Sequence, residues 1–403
     1  MSEIAGYVDN AIEQWQFADS AVKQKSSIIR EILKDSSKPD VINFGGGLPA
    51  PDLFPLELIQ QSCVNVIKKH GTNALQYSLT KGVQQLREVI AWRYKQQGVE
   101  ISVEEIQITG GAQQGLDIIG RIFIEPGAVV LTETPTYLGA LQAFSFYGVK
   151  YVAVETDEEG AIPEDVIKKI KAHKPRFLYL VSTFQNPTGI TISDKRRVEL
   201  VEIARKYGCP IIDDNPYEEI RFAGKEVKSL RAIGNKHVIQ LGTFSKLISP
   251  GLRVGWLISN EVVAPIVERM KQAMDLHTTT FSQYVIADFA AAGHLDRHID
   301  LIKREYGRKR NFMIDMLKKY FDNKASWTTP EGGLFLWVKL PDQVSTTDML
   351  PAAIKAKVAY VPGKFFYSTE QDDSTMRLNF CNATEENIEE GIKRLASVVE
   401  SNR

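Results

Sequence analysis

The stretch Gly242-Thr243-Phe244-Ser245-Lys246-Leu247-Ile248-Ser249-Pro250-Gly251-Leu252-Arg253-Val254-Gly255-Trp256 organises the chain. It follows a strand-like run, Val238-Ile239-Gln240-Leu241, and passes through a Pro-Gly turn to an arginine and a second apolar run. A lysine among small hydroxyl residues, with an arginine close behind, suits a group that forms an imine with an amine and also carries a phosphate. An ordinary solvated lysine on a surface loop is the competing reading, because most lysines are solvated.

The surrounding pattern weighs against the ordinary loop. From residue 105 to residue 259, short apolar strands alternate with amphipathic helices, which predicts an α/β fold with a mostly parallel central sheet covered on both faces. In such sheets ligands sit at the carboxyl ends of strands. Polar motifs fall at four of those ends: Gly110-Gly111, Gln185-Asn186-Pro187-Thr188-Gly189, Asp214 and Lys246. The first opens a helix at Ala112-Gln113, and a strand, glycine turn and helix start can hold a phosphate on free backbone N–H groups. Neither a Walker loop nor a Gly-x-Gly-x-x-Gly fingerprint is present there.

After residue 261 the strict alternation stops. A long helix is expected over 296–320, with Glu305 pairing Arg308 and Lys309. Strands are expected over 332–338, 358–362 and 376–380, and Thr384 caps a final helix. This is read as a smaller α+β domain. The expected division is an N-terminal arm and part of the small domain over 1–54, a large domain over 55–290, and the small C-terminal domain over 291–403. Near the start, Ser26-Ser27 can cap a helix whose apolar face is Ile28, Ile29, Ile32 and Leu33, with Arg30 off that face.

Bulk properties set limits. The 403 residues exceed what one core usually serves. A formal net charge of -1 provides no basic field for nucleic acid. Cys63, Cys209 and Cys381 are far apart without metal-ligand spacing, so no metal and a reducing, cytoplasmic compartment are expected. Met1-Ser2-Glu3-Ile4-Ala5 lacks the pattern of a signal peptide, and no apolar run reaches membrane-spanning length, so no membrane is expected.

Three segments in order, Gln185-Asn186-Pro187-Thr188-Gly189, Asp214-Asn215-Pro216-Tyr217 and Ser245-Lys246 with Arg253, resemble the fold-type I, pyridoxal-phosphate-dependent aminotransferases of class I/II. The resemblance covers about residues 26 to 400 and implies cofactor, reaction and roles. Lys246 forms the internal aldimine and moves the proton. Asp214, rather than Asp213 on the opposite strand face, meets the pyridine nitrogen. Tyr217 and Asn186 donate to the phenolic oxygen. Gly111, Ala112, Gln113, Thr243, Ser245 and Arg253 hold the phosphate. Tyr137 stacks on the ring, although a core tyrosine reads equally well without the family. Tyr77 reaches the partner's cofactor, which implies a homodimer with interfacial sites. Arg377, in an otherwise apolar strand, binds the substrate α-carboxylate with help from Asn186 beside Gly47, and a structural ion pair is its alternative.

The strings Ser27-Ile28-Ile29-Arg30-Glu31-Ile32-Leu33 and Gly46-Gly47-Leu48-Pro49-Ala50-Pro51 are similar to the 2-aminoadipate/kynurenine and multisubstrate group. They imply transfer between an L-amino acid (2-aminoadipate or glutamate, aromatic or branched-chain) and a 2-oxo acid such as 2-oxoglutarate by a ping-pong route. Phe184 stands where many relatives have tyrosine, so a hydroxyl near the ring is expected to be missing. A C–S lyase on the same scaffold is the alternative. A DNA-binding regulator is disfavoured, since only some 25 residues precede Ser26 and no basic helix-turn-helix is read there. Hypothesis: Arg30, carried on the N-terminal helix, selects dicarboxylic substrates. Arg30→Ala should then raise KM for glutamate or 2-oxoglutarate far more than for leucine or phenylalanine. Steady-state kinetics with equal effects on all four would remove the idea.

Overall fold

A computed structural model describes residues 15–24, 40–369 and 371–401. The segment carrying Arg30 and its expected helix lies outside the described residues. Seven strands form the main sheet: β1 (Ile106–Thr109), β2 (Val129–Glu133), β3 (Lys150–Val154), β4 (Leu178–Leu180), β5 (Ile211–Asp214), β6 (Val238–Thr243) and β7 (Gly255–Ile258). Their spatial order is β1-β7-β6-β5-β4-β2-β3. Only β7 runs against the rest, pairing antiparallel with β1 and β6. The reason is connection length. The link from β6 to β7 is the short Lys246 loop, too short for the crossover that parallel neighbours need.

Side chains alternate across this sheet. On one face Leu131, Leu178, Ile211 and Val238 pack with Val166, Ile170, Leu200, Val201 and Leu230 of the covering helices. On the other, Val130, Tyr179, Ile212, Ile239 and Leu241 pack with Leu116, Ile119, Phe144 and Val267. Both faces are dry, so the strands read as continuous apolar runs.

A second, antiparallel sheet has four strands in the order Ser326–Trp327, Phe335–Lys339, Thr375–Asn379 and Val361–Pro362. Long helices His294–Phe321 and Glu385–Ser401 pack together beside it. Ile42–Asn43 pairs in parallel with Val358–Ala359, which ties the N-terminal segment to this half.

Local detail departs from expectation in three places. The expected strand over 358–362 is two short ones in different sheets. Lys309 does not join Glu305. It is buried and donates to the Cys381 carbonyl at 2.9 Å, while Arg308 and Arg304 pair with Glu305. The helix Thr346–Lys355 was not expected, because Pro351 lies inside it and interior proline usually ends a helix. Ser345 nevertheless caps it, accepting from the Asp348 N–H at 3.0 Å.

Candidate active site

Six strands of the main sheet point the same way, so their carboxyl ends share one edge. A cleft of about 240 Å³ opens there. It is lined by Gly47, Ala112, Gln113, Tyr137, Asn186, Asp214, Tyr217, Thr243, Ser245, Lys246, Arg253 and Arg377. The four strand-end motifs read from sequence therefore converge. Tyr77 is not in this lining. It is exposed, with its ring edge-on to His277 at 5.8 Å.

The Lys246 ammonium donates to the Gly47 carbonyl at 2.7 Å. Burial, with Arg377 and Arg253 nearby, pushes the amine down from the usual lysine value to about 8. Asp214 is pushed the other way, up to about 7, chiefly by burial. Its Oδ2 accepts from the Tyr179 hydroxyl at 2.8 Å, and its Oδ1 is buried without a partner among the described residues. Asp213 faces the opposite side of β5, within 3.4 Å of the Ser182 N–H and the Gln240 amide.

One end of the cleft has the groups that could hold a phosphate. The helix Ala112–Phe123 starts behind Gly111, which has φ +90° and offers no side-chain cap, and the cleft-lining Ala112 and Gln113 stand at its first turn. A Cβ on Gly111 would come within 2.6 Å of the Arg253 guanidinium. Thr243 Oγ1 donates to Ser245 Oγ at 2.9 Å, and Arg253 reaches Ser245 Oγ at 3.5 Å and the Gly110 carbonyl at 3.0 Å. Gly255 has backbone on every side: an added Cβ would meet the Gly242 oxygen at 2.7 Å and the Ala112 nitrogen at 2.9 Å.

At the other end stands Arg377, fully buried on the strand Thr375–Asn379. It donates to Asn186 Oδ1 at 2.8 Å and the Gly45 carbonyl at 2.7 Å, and its Nε has no partner. The rings of Phe335 and Phe366 flank it at 4.1 and 5.0 Å. Burial pushes its guanidinium down to about 10, and among the described residues no carboxylate pairs with it. The structural ion pair weighed from sequence is absent among these residues. Burial raises the phenols of Tyr217 and Tyr137, the latter to about 12.

Phe184 is buried in the core. It does not line the cleft. At φ +50° its ring turns away, packs on Gly332 and Gly333, and lies 4.6 Å from Arg221. Sequence reasoning missed Tyr179. The available signal was a tyrosine in an apolar buried strand, whose hydroxyl must find a partner.

A family model described as aminotransferase class I and II matches residues 39–395. The chain belongs to that family. This aminotransferase is 42% identical over 390 residues to aromatic-amino-acid aminotransferase 1 of Thermococcus litoralis, covering 95% of this chain and 94% of that one. Its fold matches a kynurenine aminotransferase of Pyrococcus horikoshii, solved in complex with PMP. The TM-score is 0.92 at 41% identity, over 97% of this chain and 98% of that one. It also matches the alpha-aminoadipate aminotransferase of Thermus thermophilus, complexed with N-(5'-phosphopyridoxyl)-L-leucine. There the TM-score is 0.89 at 34% identity, over 96% and 97% of the two chains.

The aminotransferase uses pyridoxal phosphate, and the residues present fit that group. They supply an amine, a buried carboxylate oxygen awaiting a donor, and a phosphate cradle that a Cβ would fill. Among the described residues no cluster could hold a metal, and no helix is long and apolar enough to cross a membrane. The lowered lysine has a measurable consequence. Below about pH 8 the amine of the cofactor-free protein is protonated and unreactive; above it, the neutral form dominates. The rate of imine formation with added pyridoxal phosphate should rise through pH 8 and then level off. A stopped-flow pH series that keeps climbing into the ordinary lysine range would contradict the burial argument.

Proposed function

We propose that this aminotransferase moves the amino group of 2-aminoadipate, glutamate, or an aromatic or branched-chain L-amino acid to a 2-oxo acid such as 2-oxoglutarate. The observation that carries the reading is a buried arginine, without an acidic partner among the described residues, in the same cleft as a buried, easily deprotonated lysine. The names of the aromatic, kynurenine and aminoadipate relatives support the substrate range.

Bound pyridoxal phosphate supplies an aldehyde and an electron-accepting ring. The chain's residues supply the rest. Arg377 binds the α-carboxylate through its fork, oriented by Asn186. Lys246 would be the residue that holds the cofactor covalently, and its amine would move the proton at the substrate's α-carbon. Asp214 Oδ1 accepts from the ring nitrogen and holds the proton there. Tyr217 and Asn186 donate to the phenolic oxygen. Tyr137 covers a ring face. Gly111, Ala112, Gln113, Thr243, Ser245 and Arg253 hold the phosphate. Gly47 leaves room for the carboxylate: a Cβ there would meet only the Phe335 ring, at 3.5 Å. Arg30 selects a distal carboxylate.

The working unit in this reading is a homodimer in which Tyr77 reaches the partner's phosphate. Leu56, Leu75, Tyr77 and Leu79 are each about two-thirds or more exposed, an apolar surface that association would cover. Sedimentation velocity should give a dimer, and a fully active monomer would refute it. Residues 55–290 are taken as the cofactor-holding domain and 291–403, completed by 1–54, as the smaller one. The pairing of Ile42–Asn43 with Val358–Ala359 supports this. The free thiols of Cys63, Cys209 and Cys381 suit the cytoplasm, which cell fractionation would test.

The central experiment adds a panel of amino acids to the holoenzyme and follows cofactor absorbance, then adds 2-oxoglutarate. Expected is conversion by the amino donor and reversal by the oxo acid. Lys246→Ala should abolish the cycle while the melting transition stays cooperative. Pyruvate plus ammonia released from a single amino acid, with no need for an oxo acid, would instead identify a lyase.

A further inference from the structure

Asp214 is not held by the cleft alone. Tyr179 on β4 is cross-strand partner of Ile212 on β5, and Asp214 lies two residues beyond Ile212 on the same sheet face. The long phenol therefore reaches diagonally to the carboxylate, at 2.8 Å. Its ring is fully buried, edge-on to Phe144 at 5.7 Å, within the core that includes Phe177, Ile212 and Leu241. It cannot swing away. Packing alone does not call for the hydroxyl, since phenylalanine fills nearly the same volume and a buried hydroxyl is costly unless bonded. Among the described residues its one hydrogen bond is to Asp214.

The two carboxylate oxygens are thus divided. Oδ2 is occupied by Tyr179, and Oδ1, buried and without a partner among the described residues, is left to the cleft that Asp214 lines. We propose that Tyr179 is a positioning residue for cofactor binding. Its hydroxyl fixes the rotation of the Asp214 carboxylate and keeps that carboxylate ionised, so that Oδ1 is presented to the ring nitrogen. The proposal rests on the reading of Asp214 as the partner of that nitrogen.

The direction of the electrostatic effect agrees. Burial and the charge of Asp213 favour the neutral acid at Asp214, whereas the bond from Tyr179 favours the ion. Other ionisable groups face the pair. Glu133 at the end of β2 and Tyr137 beyond it act on Tyr179, and Lys246, Arg253 and Arg377 line the same cleft as Asp214. None of them donates a hydrogen bond to Oδ1.

The test compares Tyr179→Phe with the native protein, using pyridoxamine phosphate, which binds without a covalent bond to Lys246. Titration of the cofactor-free proteins should show affinity weakened roughly tenfold, the scale of one hydrogen bond to a charged group. The acid limb of kcat/KM should move to higher pH, because the carboxylate loses a bond to its charged form. Tyr179→3-fluorotyrosine, a stronger donor of almost the same shape, should move the limb to lower pH, and it keeps the question open to test if the phenylalanine variant folds poorly. In an Asp214→Asn background, Tyr179→Phe should cost little more. Native affinity and a native acid limb in Tyr179→Phe would overturn the proposal, as would a full additive loss on top of Asp214→Asn. Native affinity in Asp214→Asn alone would instead overturn the assignment of Asp214 itself.

Discussion

Lys246, Asp214 and Arg377 are three ionisable groups shut into one cleft, and each is pushed by burial toward its neutral form. The amine is lowered, the acid raised and the guanidinium lowered, with no ion pair among the described residues to relieve Arg377. Such an arrangement is costly in an empty protein. In the proposed function an aldehyde for the amine, a protonated ring nitrogen for Asp214 and a carboxylate for the arginine would offset that cost. Dipoles and charges already in place need not reorganise during reaction.

The sheet makes this arrangement available. Strands of one direction deliver their ends to a single edge, so residues more than a hundred positions apart in the chain share a cleft. The reversed strand β7 brings the Lys246 loop back against the Gly111 turn, and the bare backbone at Gly255 permits that closeness. The Arg253 guanidinium then fills the space where any side chain at position 111 would lie. The substrate end has a different origin. Arg377 comes from the second sheet, and its bond to Asn186 joins that sheet to the strand ends of the first. Movement of one half against the other would therefore act directly on Arg377.

Period-two alternation governs the acid pair. Asp213 and Asp214 are adjacent, yet one is directed to Ser182 and Gln240 and the other to Tyr179 and the cleft. A one-residue slip of β5 would exchange them and place the wrong carboxylate in the cleft. The apolar core on each face resists such a slip, because it would also expose Ile211 and Ile212 to the wrong neighbours. Stability and chemistry are set by the same register.

Alternating strands and helices, glycine turns at strand ends, and the residue types at 185–189, 214–217 and 245–253 were legible in the chain itself. They depend on local periodicity and on chemistry that few residue types can perform. The parallel sheet and Lys246 at its edge followed from them, and the family resemblance implied Asp214 rather than Asp213. Other features depend on partners distant in sequence, which no local pattern encodes. Tyr179 bonds Asp214 only because β4 and β5 pair in one register. Phe184 leaves the cleft because a positive φ turns it onto Gly332 and Gly333, and Lys309 meets Cys381 rather than Glu305 because the long helix buries that face. Local sequence decided which groups the site contains; the packing of distant segments decided which way they point and how strongly they hold their protons.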